Sequence, residues 1–506
     1  MSAIAPRTPV IVGVGQISQR ADDPADALEP IDLLAEAARR ADDDCGAPGL
    51  VERADVVAIV DMVSWKYPDA GALLARRLGA ESGPRTMTTT VGGNSPQLLV
   101  NELAPAIAAG DVDVALIGGA ECVYTRWRAR REPKTWLDWT TADDPPCRDV
   151  IGDDRPGTSD YENAHHASAP TQIYPLLETA VRAAAIRGVD DHQRAVSDLW
   201  ATFAAVAAKN PHAWTQQAYT PEEIRTPGSD NRLVAFPYTK RMCANIDVDQ
   251  AAALILCSYD AARAAGVPDD KLVFPLAGAD AHDRFFFSER WSLAESPAIA
   301  AAGRGALEGA GVGIDDIARF DLYSCFPSAV QIALSALGLR GPAGGDERPL
   351  TVTGGLAFAG GPANDYPTHA IAAMVEACRR DPGSVGMVTA LGWYVTKHSV
   401  GLYSTTPPAS GFRRADRTAT QVEVDRRSGR EPAGSYDGHA IVEATSVLVE
   451  RDGTPSLAIV SLLTPDDGRA LANTRDADAL TSMIKQAWEG RSVGVRSAAD
   501  TNELVV

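Results

Sequence analysis

The groups in this chain that could carry covalent or proton-transfer chemistry are seven cysteines, eight histidines and a few glycine-flanked polar runs. The cysteines at 45, 122, 147, 243, 257, 325 and 378 form no C-x-x-C pair and share no regular spacing. That pattern points to reduced thiols in a cytosol and away from a disulfide framework. His165-His166 has no third ligand at metal spacing, and adjacent side chains point apart on most backbones, so no metal site is expected. Cys325, in Tyr323-Ser324-Cys325-Phe326, is either a nucleophile or a buried thiol acting as a small hydrophobe. His398, in Tyr394-Val395-Thr396-Lys397-His398-Ser399, is either a base reaching a pocket mouth or a loop histidine without that role. His369, seven residues beyond Pro362, is an alternative base. Asn364-Asp365-Tyr366 stands at the entrance of the helix carrying His369, where an Asx-type cap accounts for Asn or Asp without catalysis. Ser95, in Asn94-Ser95-Pro96, has no placed base, and a helix cap explains it better than a nucleophile does.

Such groups need a scaffold, and a repeat betrays it. Residues 8–15, Thr-Pro-Val-Ile-Val-Gly-Val-Gly, form a continuous apolar run, as in a strand covered on both faces. Gly13-Val14-Gly15 opens a dinucleotide fingerprint, but Ser18 stands where the third glycine belongs, so the signal is discounted. Helical spacing over 29–41 and a strand at 56–60 follow. Thr90-Val91-Gly92-Gly93 then leads into a helix with Leu98, Leu99, Leu103 and Ile107, and a strand at 112–117 ends at Gly118-Gly119. The same order returns as Val352-Thr353-Gly354-Gly355, a helix around 370–378, and a strand at 385–390 ending at Gly392. One duplicated α/β unit is the natural interpretation.

Between the halves, Trp, Arg, Asp and Pro cluster over 127–157 and amphipathic stretches follow at 172–187 and 196–208. This insertion suits a binding surface on a rigid scaffold. The second half is expected to resume at Asp249-Gln250-Ala251-Ala252-Ala253-Leu254-Ile255-Leu256. Beyond Thr406-Pro407-Pro408 the pattern alternates, with runs at 440–449 and 456–463 joined by Arg451-Asp452-Gly453-Thr454, a hairpin signal. Short strands fit 411–424 and 490–496, predicting a small antiparallel barrel.

The 506 residues are enough for about three units of common domain size. A net charge of −20 argues against nucleic acid and anionic membranes. The basic cluster Arg126-Trp127-Arg128-Ala129-Arg130-Arg131 is either a solvated face or a contact to a polyanion such as the phosphates of coenzyme A. No charged leader with a long apolar run opens the chain, and no stretch of 18 apolar residues occurs, so a cytoplasmic protein without a membrane span is expected.

Ordered runs then carry a resemblance. Val10-Ile11-Val12-Gly13-Val14-Gly15 and Ala109-Gly110-Asp111-Val112-Asp113-Val114-Ala115-Leu116-Ile117-Gly118-Gly119-Ala120-Glu121 open it. Tyr323-Ser324-Cys325-Phe326, Gly354-Gly355-Leu356-Ala357-Phe358-Ala359-Gly360-Gly361-Pro362 and Ala390-Leu391-Gly392 follow in order. Over about 8–406 the chain resembles the thiolase superfamily, nearest to the sterol-carrier-protein-type (SCP2) thiolases. The resemblance implies an α/β fold of two βαβαβαββ halves in five αβαβα layers. It places the halves at 1–120 and 248–406 and, at 121–247, an inserted loop domain that in the family binds coenzyme A. An OB-like antiparallel barrel is expected at 409–506.

Carried across residue by residue, the family's nucleophilic cysteine falls at Gly93 and its acid/base cysteine at Ala390. The activating histidine falls at Gly361 and the water-orienting Asn or His at Tyr323. Without an activated nucleophile beside a base, ordinary thiolysis and Claisen condensation are not expected. Gly354, Gly355, Gly360 and Gly392 are the expected substrate-binding backbone. Tyr323 is either an acid/base, with His398 as a second candidate, or a space-filler for the lost side chain. Three functions follow: an acyl-CoA-binding protein of lipid metabolism, an aldol-type C–C lyase using Tyr323, or an interaction subunit docking a partner through its barrel. Acyl-CoA is the expected ligand, with no tightly bound cofactor, in a monomer or a thiolase-type dimer with room for a hetero-partner.

Overall fold

The computed structural model describes residues 4–80, 83–132, 135–141 and 143–505. Two mixed sheets organise it. The first orders its strands Pro9–Ser18, Asp249–Ser258, Val114–Cys122, Val56–Ile59, Arg85–Thr89 and Val150–Ile151. The second orders Ile317–Asp321, Val385–Gly392, Lys397–Ser404, Phe274–His282 and Arg413–Arg414. The apolar run of Pro9–Ser18 is buried over Pro9–Gln16 and that of Asp249–Ser258 throughout, as strands covered on both faces must be.

One expected boundary moves. Asp249–Ser258 does not open the second half but lies inside the first sheet, antiparallel to both Pro9–Ser18 and Val114–Cys122. All ten of its residues are buried, which suits an interior strand. The insertion is therefore a loop out of the first half.

Helices Ser95–Ala109 and Tyr366–Arg380 pack side by side between the sheets and touch strands of both. Pro30–Asp44 covers the other face of the first sheet and Pro297–Ala310 that of the second, completing five αβαβα layers. The glycines of Gly13-Val14-Gly15 serve this packing: a Cβ on either would overlap a carbonyl oxygen of helix Pro30–Asp44, Ala41 or Ala37.

Gly438–Val449, Pro455–Leu463, Arg469–Thr474, Thr501–Val505 and Ser492–Ala498 close into a five-stranded barrel. Its first hairpin turns at Gly453, φ +91°, with Glu450 N–H donating to the Thr454 carbonyl at 2.8 Å. The strand expected over 411–424 is a correction. Only Arg413–Arg414 is extended, and Arg417–Asp425 is a helix capped by Asp416, whose carboxylate accepts from Ala419 N–H at 2.9 Å. That helix lies against Phe274–His282 and Pro297–Ala310.

The barrel is bolted to the insertion and to the second half. Insertion strand Leu233–Phe236 pairs with Gly438–Val449, matching Phe236 to Val447. Thr179 Oγ1 donates to the Thr445 carbonyl at 3.0 Å and accepts from Thr445 N–H at 2.9 Å. Arg469 is fully buried; it pairs with Glu443 at 2.6 Å and donates to the Phe287 and Ser288 carbonyls, each at 3.1 Å. Among the described residues no helix is long and apolar enough to cross a membrane.

Candidate functional site

The end of the first double-glycine turn faces a cavity of about 470 Å³. Four loops and the insertion build it: Val91–Gly93, Tyr323–Phe326, Gly361–Asn364, Leu391–Tyr394, and residues 170–174 with 243–246. Among the described residues lining it, none is Asp, Glu, His, Lys or Arg, and the wall is mostly apolar. Its polar groups are phenols, thiols, Thr171, the Trp393 indole N–H and the Asn364 amide.

Gly93, Tyr323 and Gly361 meet at this cavity, while Ala390 lies behind its wall beside Leu391. A Cβ built on Gly93 would overlap the Tyr323 hydroxyl and come within 2.5 Å of the Leu391 carbonyl oxygen. The space a nucleophile would need is thus filled by the phenol and closed by backbone. Tyr323 is held by its own N–H on Thr389 Oγ1 at 2.9 Å and by an edge-on contact to the Tyr366 ring, 5.6 Å between centroids. Tyr366 in turn donates to Asp321 at 2.8 Å, and Asp321 also accepts from Thr351 Oγ1 and Val352 N–H at 2.9 Å.

Burial, with Cys325 beside it, holds the Tyr323 phenol well above the usual tyrosine range. Among the described residues no cation lines the cavity to bring it down. Burial likewise pushes the Cys325 and Cys243 thiols up to about 12, so neither is a thiolate near neutral pH. What the cavity offers a ligand is neutral: hydroxyl and amide hydrogen bonds and apolar contact.

Asn364, expected as a cap, and Lys397, to which sequence reasoning assigned no role, fix the glycine turn. Asn364 Oδ1 accepts from Gly92 N–H at 2.9 Å, and its Nδ2 donates to the Asp61 carbonyl at 2.8 Å. Lys397 Nζ donates to the Val91 carbonyl at 2.5 Å and the Asp153 carbonyl at 3.0 Å. Gly92, φ +153°, leaves room for that amine, since a Cβ there would lie 2.9 Å from it. Burial lowers the Lys397 amine to about 8. The cap expected at Asn94-Ser95-Pro96 is not made: the Asn94 side chain bonds no helix N–H, and Ser95 Oγ donates to the Thr90 carbonyl at 3.1 Å.

His398 does not line this cavity. Its Nε2 sits 3.3 Å from Asp283 Oδ2; with Tyr323 it borders a void of about 10 Å³, and with Asn94 and Lys397 it lines a separate cavity of about 400 Å³. His369 bonds Gln16 Oε1 at 2.9 Å, and burial lowers it to about 3. Asp365, expected as a cap, bonds no helix N–H; it accepts from Thr368 Oγ1 at 2.6 Å. Gly354, Gly355, Gly360 and Gly392 also stand outside the cavity wall. They are close-packed instead: a Cβ on Gly360 would overlap Gln250 Oε1, and one on Gly392 would lie 2.5 Å from Asn94 Oδ1. His165 accepts from Asn502 N–H at 3.0 Å, bolting the barrel, and no metal-binding cluster occurs among the described residues. Arg128 spends its guanidinium on the Ala21 and Asp22 carbonyls at 2.7 and 2.6 Å, and Arg131 lies over the Trp127 ring at 3.5 Å.

The chain is similar to known proteins along its whole length. Residues 420–500 match the family description "Thiolase-like protein type 1 additional C-terminal domain". A monomeric SCP2-thiolase like protein type 1 from Mycobacterium smegmatis is 33% identical over 100% of both chains, with a TM-score of 0.84. An Ltp2-ChsH2(DUF35) aldolase is 18% identical over 79% of this chain and 99% of its own, TM-score 0.59. Human mitochondrial 3-ketoacyl-CoA thiolase, in complex with CoA, is 16% identical over 80% of this chain and 100% of its own, TM-score 0.56. These last two likenesses concern the fold alone. No curated protein matches the chain.

Proposed function

The chain belongs to the SCP2-thiolase-like proteins of type 1, and from that premise we propose that its central cavity holds an acyl thioester of coenzyme A without thiolysis. The observation that carries this is the overlap between a Cβ on Gly93 and the Tyr323 hydroxyl. A nucleophile is missing, and its place is taken by a neutral hydrogen-bond donor aimed at the cavity. The mainly apolar wall suits an acyl chain, and the Tyr323 hydroxyl suits the thioester carbonyl. The thiolase solved with CoA in the same fold makes coenzyme A a reasonable ligand class.

Calorimetric titration with CoA and a series of acyl-CoA thioesters tests this, beside an assay for cleavage of acetoacetyl-CoA by free CoA. Binding of the thioesters without cleavage is expected. CoA-dependent loss of acetoacetyl-CoA, or no binding by any thioester, overturns it.

Aldol-type cleavage is the second reading, favoured by the placement of the Tyr323 hydroxyl at the cavity. A phenol whose pKa is raised by burial stays protonated near neutral pH, so Tyr323 would donate to the thioester oxygen as the C–C bond breaks and the enolate forms, the β-hydroxyl proton passing to water. Release of an aldehyde or ketone from a β-hydroxyacyl-CoA, lost in Tyr323→Phe, would establish it over simple binding. A monomer is our further proposal, supported by the monomeric relative that is 33% identical over the whole chain.

A further inference from the structure

A further cavity, about 290 Å³, lies where residues 283–297 meet residues 424–428. The two segments are tied by an antiparallel bridge between Arg290 and Gly429 and by Arg430 N–H on the Glu289 carbonyl at 2.9 Å. Arg284, Arg290, Arg426 and Arg427 all line it. Arg290 belongs to the frame: it is buried and donates to the Tyr394 carbonyl at 2.7 Å and Thr396 Oγ1 at 2.8 Å.

The other three are different. Among the described residues, Arg284, Arg426 and Arg427 form no ion pair with a carboxylate, although neighbouring arginines such as Arg304, Arg417 and Arg430 do. In a chain of net charge −20, three guanidinium groups without an ion-pair partner around one hollow run against the background, although the Glu289 carboxylate is near enough to feel the charge of Arg284. Arg284 is also held in place. A Cβ on Gly429 would lie 2.5 Å from its Cζ, so the absent side chain gives the guanidinium its seat, and its Nη2 donates to the Arg427 carbonyl at 3.3 Å. Of the two acids in the wall, Asp283 is buried and engaged by Ala298 N–H at 3.0 Å and by Ser296. Glu295 is the remaining carboxylate.

The rest of the wall includes Trp291, Pro297 and Val424. Trp291 is 46% exposed, with Arg430 lying 4.0 Å over its ring. Guanidinium forks match phosphate oxygens in geometry and charge, and an indole offers a face to a flat ring. We propose that this pocket binds a small nucleotide, with its phosphate on Arg284, Arg426 and Arg427 and its base against Trp291.

Titration of the full-length protein with AMP at fixed ionic strength, followed by calorimetry, tests the proposal, with inorganic phosphate and pyrophosphate in parallel. Saturable AMP binding is expected, displaced by pyrophosphate and at least tenfold weaker in the Arg284→Gln/Arg427→Gln double variant. Both side chains are exposed, so the variant should fold, and the displacement experiment needs no variant. Trp291→Ala should weaken AMP and leave inorganic phosphate unchanged. No saturable binding of AMP, no displacement, or an affinity indifferent to the arginine changes overturns the site. Equal affinity for AMP and inorganic phosphate overturns the nucleotide assignment.

Discussion

At Gly93 two obstacles, not one, stand where a thiol would sit: the Tyr323 hydroxyl and the Leu391 carbonyl. Gly93→Cys should therefore destabilise the protein by about 2 kcal/mol or more, as overpacking does, and should gain no thiolase activity. Combining it with Tyr323→Ala removes only the first obstacle, so urea denaturation should still report a loss. Tyr323→Phe should weaken acyl-CoA binding roughly 2- to 10-fold, the worth of one hydrogen bond. An unchanged dissociation constant would show that the hydroxyl does not meet the ligand. Lys397 gives a pH signature. Its folded value, about 8, lies below the ordinary 10.5, so the unfolded chain takes up the proton first as pH falls. The buried ammonium costs stability below about pH 8, and that cost is relieved as pH climbs from about 8 to 10.5. Wild type should gain stability relative to Lys397→Met across that window in thermal melts. Parallel curves would sink the assignment. The place of Gly93, just ahead of helix Ser95–Ala109 on the cavity wall, was legible by counting along the chain, because helix and strand follow it at fixed spacing. Asn364 and Lys397 were not, since their partners are backbone groups 272 and 306 residues away.

Elements hold these residues through buried polar anchors. Asp321 ends strand Ile317–Asp321 and gathers Thr351, Val352, Thr353 and Tyr366, placing the Gly354-Gly355 turn and the ring behind Tyr323. Asp321→Ala leaves several buried donors unpaired and should cost on the order of 2–4 kcal/mol by urea denaturation, with weaker acyl-CoA binding. A change under about 0.5 kcal/mol would deny it that role. Strands in both halves were legible because sheets covered on both faces demand unbroken apolar runs. Helix Arg417–Asp425 was not: Thr418, Thr420, Val422 and Val424 alternate as in a strand and are β-branched. The Asp416 cap decided otherwise, and only Val424 of that helix is buried.

For the molecule as a whole, one buried arginine joins the barrel to the rest. Arg469→Leu leaves Glu443 and the carbonyls of Phe287 and Ser288 without their donor. It should cost about 3–5 kcal/mol, and hydrogen exchange should rise across residues 438–505 before the two α/β sheets loosen. Exchange rising uniformly over the chain would place the bolt elsewhere. The barrel itself was legible from its Asp-Gly hairpin and alternating runs. Its attachment was not, because the strand Leu233–Phe236 carries no mark of a partner so far along the chain. That pairing joins residues more than two hundred positions apart. At ordinary translation speeds the insertion leaves the ribosome roughly 10–40 s before the strand that completes it. For that interval the nascent protein displays an open edge, and chaperones or premature capture by a sister chain have their opportunity there.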